Sequence, residues 1–155
     1  MASSSFNRDA NYIPITSEGL IAVKTMTFAG GTTNDPGDYD GTGNPATLFT
    51  ITGDVLVKVF GVCTVNLAGA NATVEVGVTS GTALLLPLTT ATDIDAGKTW
   101  TDTAPALTEV VTGQFILPAG QDIIQTVATA NITSGTIKYY CLWTPLSSDG
   151  DVVAA

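Results

Sequence analysis

The run Asp54–Asn66, DVLVKVFGVCTVN, constrains this chain more than any other stretch. It is the longest β-type run in the sequence, rich in Val and free of Pro, a composition that suits a pleated, half-buried surface. Side chains alternate across a strand. Val55, Val57, Val59, Cys63 and Val65 therefore share one face with Gly61, and Leu56, Lys58, Phe60, Val62 and Thr64 share the other. One face is wholly apolar and the other largely so. Such a strand belongs in the interior of a sheet that is covered on at least one side.

The sequence on either side repeats the signal. Leu20–Phe28 alternates Ile21, Val23, Thr25 and Thr27 against Ala22, Lys24, Met26 and Phe28. From Ala46 onward the chain reads as a series of hairpins. Ala46–Thr52 meets Val55–Asn66 across Gly53-Asp54, a pair suited to a tight turn, with one continuous bulged strand as the alternative. Ala72–Thr79 meets Thr82–Leu88 across Ser80-Gly81, and Gly113–Leu117 meets Asp122–Thr129 across Pro118–Gln121. Asn131–Gly135 leads into Thr136–Trp143, which Pro145 stops. Short connections of this kind join antiparallel strands. About eight such strands, turning every 8–12 residues or so, predict an all-β fold, an antiparallel β-sandwich of jelly-roll-like type. The predicted organisation is an extended N-terminal arm at residues 1–20, a sandwich domain at 21–148 and a C-terminal tail at 149–155.

Within the arm, Tyr12, Ile13, Pro14 and Ile15 form an apolar patch that Pro14 holds extended. Two readings stand: an edge strand packed on its own domain, or an arm that docks on a neighbouring subunit. The connection Thr89–Leu107 is long for so compact a domain, and such loops are often functional. Its Ile94 and Trp100 are expected to fold back onto the sandwich as a plug.

A chain of 155 residues suits a single domain and buries enough surface for a core without staples. Charged residues make up 12%, about half the usual ~25%. That is the composition either of a neutral β-domain or of one whose surface other subunits cover. The net charge is −9, and the basic residues Arg8, Lys24, Lys58, Lys98 and Lys138 are scattered. Nucleic-acid binding is therefore not expected, because phosphate neutralisation needs clustered cations. No apolar run reaches the ~20 residues of a membrane helix. The N-terminus MASSSFNRDANYIPI lacks the basic and apolar regions of a signal peptide, so the chain reads as made in a cytoplasm. Cys63 and Cys141 lie on apolar faces and read as buried thiols. A disulfide is possible only if their strands bring them together.

The chain has no histidine. This excludes Ser-His-Asp and Cys-His nucleophiles and the commonest zinc ligand. Asp38-Tyr-Asp40-Gly41 is only part of a calcium loop, with no Glu to close it. With Asp35 it reads instead as a solvated turn. Ala96–Thr99, AGKT, lacks the leading Gly and the strand–loop–helix context of a phosphate loop. Asp93 and Asp95, two residues apart in a polar loop, read as turn-forming rather than as a catalytic carboxylate pair. No catalysis, cofactor or metal is expected. Tyr139 and Trp143 share a face with Ile137 and Cys141 and read as core, while Tyr140 is opposite.

Two stretches together, LFTITGDVLVKVFGVC at 48–63 and GTIKYYCLWTPLSSDGDVVAA at 135–155, resemble small β-rich virion proteins of tailed bacteriophages. The arm RDANYIPI, Arg8–Ile15, is similar to N-terminal segments of phage structural proteins. The resemblance covers most of the chain from residue 46 and rests on packing and turn residues rather than on a site. It implies a capsid decoration, or cement, protein on the outer surface of the phage head. Its partner would be the major capsid protein, the arm carrying Tyr12, Ile13, Pro14 and Ile15 would dock there, and the chain would form a homo-oligomer, a trimer by analogy. A tail, baseplate or head-fibre component with a host-binding role is the first alternative. A carbohydrate-binding module using Trp100 or Tyr140 is the second.

Overall fold

The computed structural model describes residues 19–30, 34–108 and 113–155. Among these residues ten strands follow one another: β1 Leu20–Phe28, β2 Ala46–Thr52, β3 Val55–Ala68, β4 Thr73–Val78, β5 Gly81–Thr90, β6 Thr99–Trp100, β7 Phe115–Leu117, β8 Ile123–Ala128, β9 Ser134–Pro145 and β10 Asp151–Ala154. One 3-10 turn, Ala91–Asp93, follows β5. The first sheet runs β1-β9-β3-β6, with β7 also on β3, and the second runs β10-β2-β8-β4-β5. Apart from the added β10, this is jelly-roll connectivity: the chain passes from sheet to sheet at nearly every connection. Among the described residues every strand pairing is antiparallel.

The expected strands are present, but most of the expected hairpins are not. Among the described consecutive strands only β4 and β5 pair within one sheet, and their turn is Thr79-Ser80, one residue before the expected Ser80-Gly81. Gly53-Asp54 joins β2 of the second sheet to β3 of the first, so it is a corner between layers. Gly53 has φ +61°, and a Cβ there would meet Asp149 Oδ1 at 2.7 Å. That conformation suits glycine and redirects the chain. Pro118–Gln121 likewise links β7 of the first sheet to β8 of the second, and Asn131–Gly135 crosses back. Short loops do join antiparallel neighbours, yet they join stacked layers equally well. The expected C-terminal tail is a further correction. Val152 pairs with Ile51, Val153 with Thr50, and β10 extends the second sheet.

β3 lies between β9 and the β6/β7 edge, paired along most of its length. Val55, Val57, Val59, Gly61 and Cys63 face the core, as the alternation requires. The pairing with β9 slips between Cys63 and Val65 and again between Val65 and Ala68, so the faces exchange and then return. Val65 is accordingly 54% exposed and Leu67 is buried in its place. Gly61 leaves space for an aromatic layer: a Cβ there would meet Ile137 Cγ2 at 3.1 Å and Trp100 Cε3 at 3.4 Å. Trp100 and Ile94 fill the core with no exposure, so the 89–107 segment does supply the expected plug.

Two buried polar contacts tie the sheets together. Tyr139 Oη on β9 donates to Gln125 Oε1 on β8 at 2.8 Å, and Gln125 Nε2 donates to the Pro36 carbonyl at 3.3 Å. Trp100 Nε1 donates to Thr89 Oγ1 at 3.0 Å, which itself donates to the Pro87 carbonyl at 2.9 Å. These four side chains thereby keep partners for their buried polar atoms, whereas Thr126 Oγ1 is buried without one. Cys63 and Cys141 are free. Their strands are neighbours, but Cys63 stands opposite Ile137 and Cys141 opposite Val59. Four residues of offset is about 13 Å along a strand, beyond the ~7 Å Cα limit for a disulfide.

Removing the hydroxyl with Tyr139→Phe leaves Gln125 Oε1 buried without its donor. The expected loss is about 1–3 kcal/mol of unfolding free energy in urea, with the β-type CD spectrum retained. Burial also pushes the Cys141 thiol up from 9.0 to about 12, and burial is the first cause raising Cys63 and Tyr139. These groups stay protonated in the folded state where the unfolded chain ionises. The Cys141 contribution is therefore whole below about pH 9 and is lost as pH rises toward 12, and those of Cys63 and Tyr139 are lost in alkali with the same sign. Unfolding free energy should fall across that window by up to ~1.4 kcal/mol per pH unit per group, and Cys141→Ala should show a shallower decline.

Candidate functional site

The feature with functional content is the outer face of the first sheet. Strand pairing sets its side chains in rows: Ile21, Leu142 and Lys58; Val23, Tyr140 and Phe60; Thr25, Lys138 and Val62. Leu56 and Ile116 continue it beside Thr144. Ile116 is 68% exposed and Ile21 56%, although they belong to strands whose alternate residues fill the core. Scattered exposed apolar side chains are ordinary, but contiguous rows of them mark an interaction surface.

Phe60 and Tyr140 stack across β3 and β9, with ring centroids 5.1 Å apart and planes 10° apart. Lys138 Nζ lies over the Tyr140 ring, 5.4 Å from its centroid, close enough for a cation–π attraction. Lys58 sits on the other side of the aromatic pair. A depression of about 140 Å³ opens between Leu56, Lys58, Gln114, Leu142 and Thr144. The face is an anchored aromatic centre flanked by two cations.

No carboxylate stands in these rows, in a chain of net charge −9. Asp35, Asp38, Asp40, Asp93 and Asp95 lie in the connections at one end of the sandwich, with Asp54, Asp122, Asp149 and Asp151 at or near the other. Glu75 is on β4 of the second sheet. The sequence scatters its lysines, yet the β3–β9 pairing puts Lys58 and Lys138 on one surface. Its signal was the second face of β3, too apolar for open solvent and read only as a sign of sheet interior.

The other candidates fall elsewhere. Tyr12, Ile13, Pro14 and Ile15 lie outside the described residues. Trp100 is fully buried, so it is no glycan platform, while Tyr140 is part of the outer face. Asp35 accepts from the Ala29 and Gly37 amides, and Asp38 accepts from the Asn34 and Asp40 amides at 3.2 Å each. These carboxylates brace their own turn, as the sequence suggested. Asp95 pairs with Lys98 at 2.8 Å. Among the described residues no group of His, Cys, Asp and Glu is arranged to hold a metal, and no helix is long and apolar enough to cross a membrane. Comparisons of the chain with protein-family models, with curated proteins and with solved structures find no match.

The outer face contributes little to its own domain. Replacing Ile21 and Val23 by Thr should change unfolding free energy by no more than about 0.5 kcal/mol each, as expected for exposed sites. Tyr140→Ser should cost about 0.5–1.5 kcal/mol through the lost ring stacking. The triple variant should bind a hydrophobic fluorescent dye more weakly than the parent while keeping its CD spectrum.

Proposed function

We propose that this chain is a structural assembly protein, and that its place is on a tailed-phage head as a capsid decoration protein. The observation that carries the assembly reading is the carboxylate-free, apolar and cationic outer face of β1, β9 and β3. A face with this chemistry on an acidic protein suits contact with another protein surface. The capsid part of the reading rests on the sequence resemblance at 48–63 and 135–155. Double-sheet jelly rolls recur in viral capsid proteins but also in lectins, so the architecture agrees with the reading without selecting it.

In this reading the major capsid protein is the partner, and the segment holding Tyr12, Ile13, Pro14 and Ile15 is the attachment element. A homo-oligomer, a trimer by analogy, would present several such segments together and raise avidity without new contacts within each domain. No chemistry is required of the chain beyond recognition.

A variant beginning at Gly19 removes no described strand, since β1 begins at Leu20. It should keep the thermal midpoint of the full chain and fail to co-sediment with phage heads stripped of this protein. Co-sedimentation equal to that of the full chain would remove the attachment role. If the full chain itself leaves such heads bare, the capsid reading is wrong.

A further inference from the structure

We infer that the outer face of β1, β9 and β3 receives the Asp38-Tyr39-Asp40 turn of a second copy of this chain. The inference rests on the reading of that face as an assembly surface, and it names the occupant.

Charge decides against two such faces meeting each other. An isologous contact would gather Lys58 and Lys138 from both copies in one desolvated patch, with no carboxylate to offset them. The complementary surface is at the end of the sandwich formed by residues 34–45 and 91–98. It carries Asp35, Asp38, Asp40, Asp93 and Asp95. Its cation Lys98 is held by Asp95 at 2.8 Å.

Within that end the Asp-Tyr-Asp turn has the form of a recognition knob. Tyr39 is 42% exposed between two carboxylates. Its backbone is held in place on both sides. Tyr39 N donates to Asn131 Oδ1 at 3.1 Å, and Asn44 Nδ2 donates to the Tyr39 carbonyl at 2.9 Å. Asp38 N donates to the Asp35 carbonyl at 2.8 Å. A tyrosine presented on a pinned turn loses little freedom on binding, and tyrosine is a favoured interface anchor. The receiving face offers what it needs: apolar walls at Leu56 and Leu142 with Lys58 beside them for one flanking carboxylate, and Lys138 across the Phe60–Tyr140 pair for the other. The two patches are different, so the contact is heterologous and each copy uses both. It repeats around a ring when the rotation closes, and runs into a filament when it does not.

Sedimentation velocity of the full chain alone, over a wide concentration range at low and high salt, tests this without any capsid. The wild type should self-associate, more weakly at high salt. Tyr39→Ala and the pair Lys58→Glu, Lys138→Glu should each weaken association by about tenfold or more, equivalent to ~1.4 kcal/mol, with CD spectra unchanged. Tyr39→Glu is a second probe at the same site should the alanine variant fold poorly. Adding Asp40→Lys to the lysine double variant should recover part of the lost affinity. A wild type that stays monomeric throughout overturns the inference. So does association that Tyr39 variants leave untouched, or a charge exchange that recovers nothing. Failure of head binding with self-association intact counts against the capsid reading alone.

Discussion

The middle of this sandwich is filled by aromatic side chains whose polar atoms must be satisfied away from water. Tyr139 and Trp100 are both fully buried and lie tilted against each other with centroids 6.3 Å apart. An unpaired hydroxyl or indole N–H there would cost more than the ring's burial easily offsets. Each therefore reaches across to the opposite sheet, Tyr139 to Gln125 and Trp100 to Thr89. Apolar packing holds two layers together without specifying how they are set, whereas these directional contacts fix one setting. Gly61 lies under the same arrangement, where a Cβ would crowd Ile137 Cγ2 and touch the Trp100 and Tyr139 rings. Gln125 carries the constraint outward through the Pro36 carbonyl, at the base of the turn that presents Tyr39.

Once the inner faces are spent on this core, the outer faces are left to differ. β3 and β9 are apolar on both sides, so covering one side exposes the other. The result is a row of Phe60, Tyr140 and Val23 on the outer side of the first sheet. The low charge content of the chain concentrates the contrast: the acids gather in connections, where they brace turns through backbone amides, and two of the few lysines stand on the apolar sheet. An acidic protein with one cationic, aromatic face is polarised by its topology, and that polarity is what the assembly reading draws on.

Period-two alternation and Gly/Pro punctuation made the strands legible, because side-chain direction along a strand is a local property. The core face of β3, the burial of Tyr139 and Trp143, the plug of Ile94 and Trp100 and the turn role of Asp35 and Asp38 all follow from that local reading. The fate of Val65 does not, because a bulge depends on what the partner strand offers. Strand partners do not follow either. Gly53-Asp54 has the chemistry of a sharp reversal, and the same sharp reversal serves a hairpin or a corner between sheets. Which one forms depends on burying β2 and β3 against each other rather than beside each other.

Residue pattern alone is enough for the all-β class, the positions of the long strands, the jelly-roll-like sandwich and the absence of any histidine chemistry. Only the tertiary structure decided that Cys63 and Cys141 stand too far apart to pair, since their offset is set by the β3–β9 register. It also decided that residues 151–154 close the edge of the second sheet, and that Lys58 and Lys138 flank one aromatic pair. The reason is common to all three. Alternation tells each residue which side of its own strand it occupies, but neighbours across strands are chosen by long-range pairing, which no local pattern encodes.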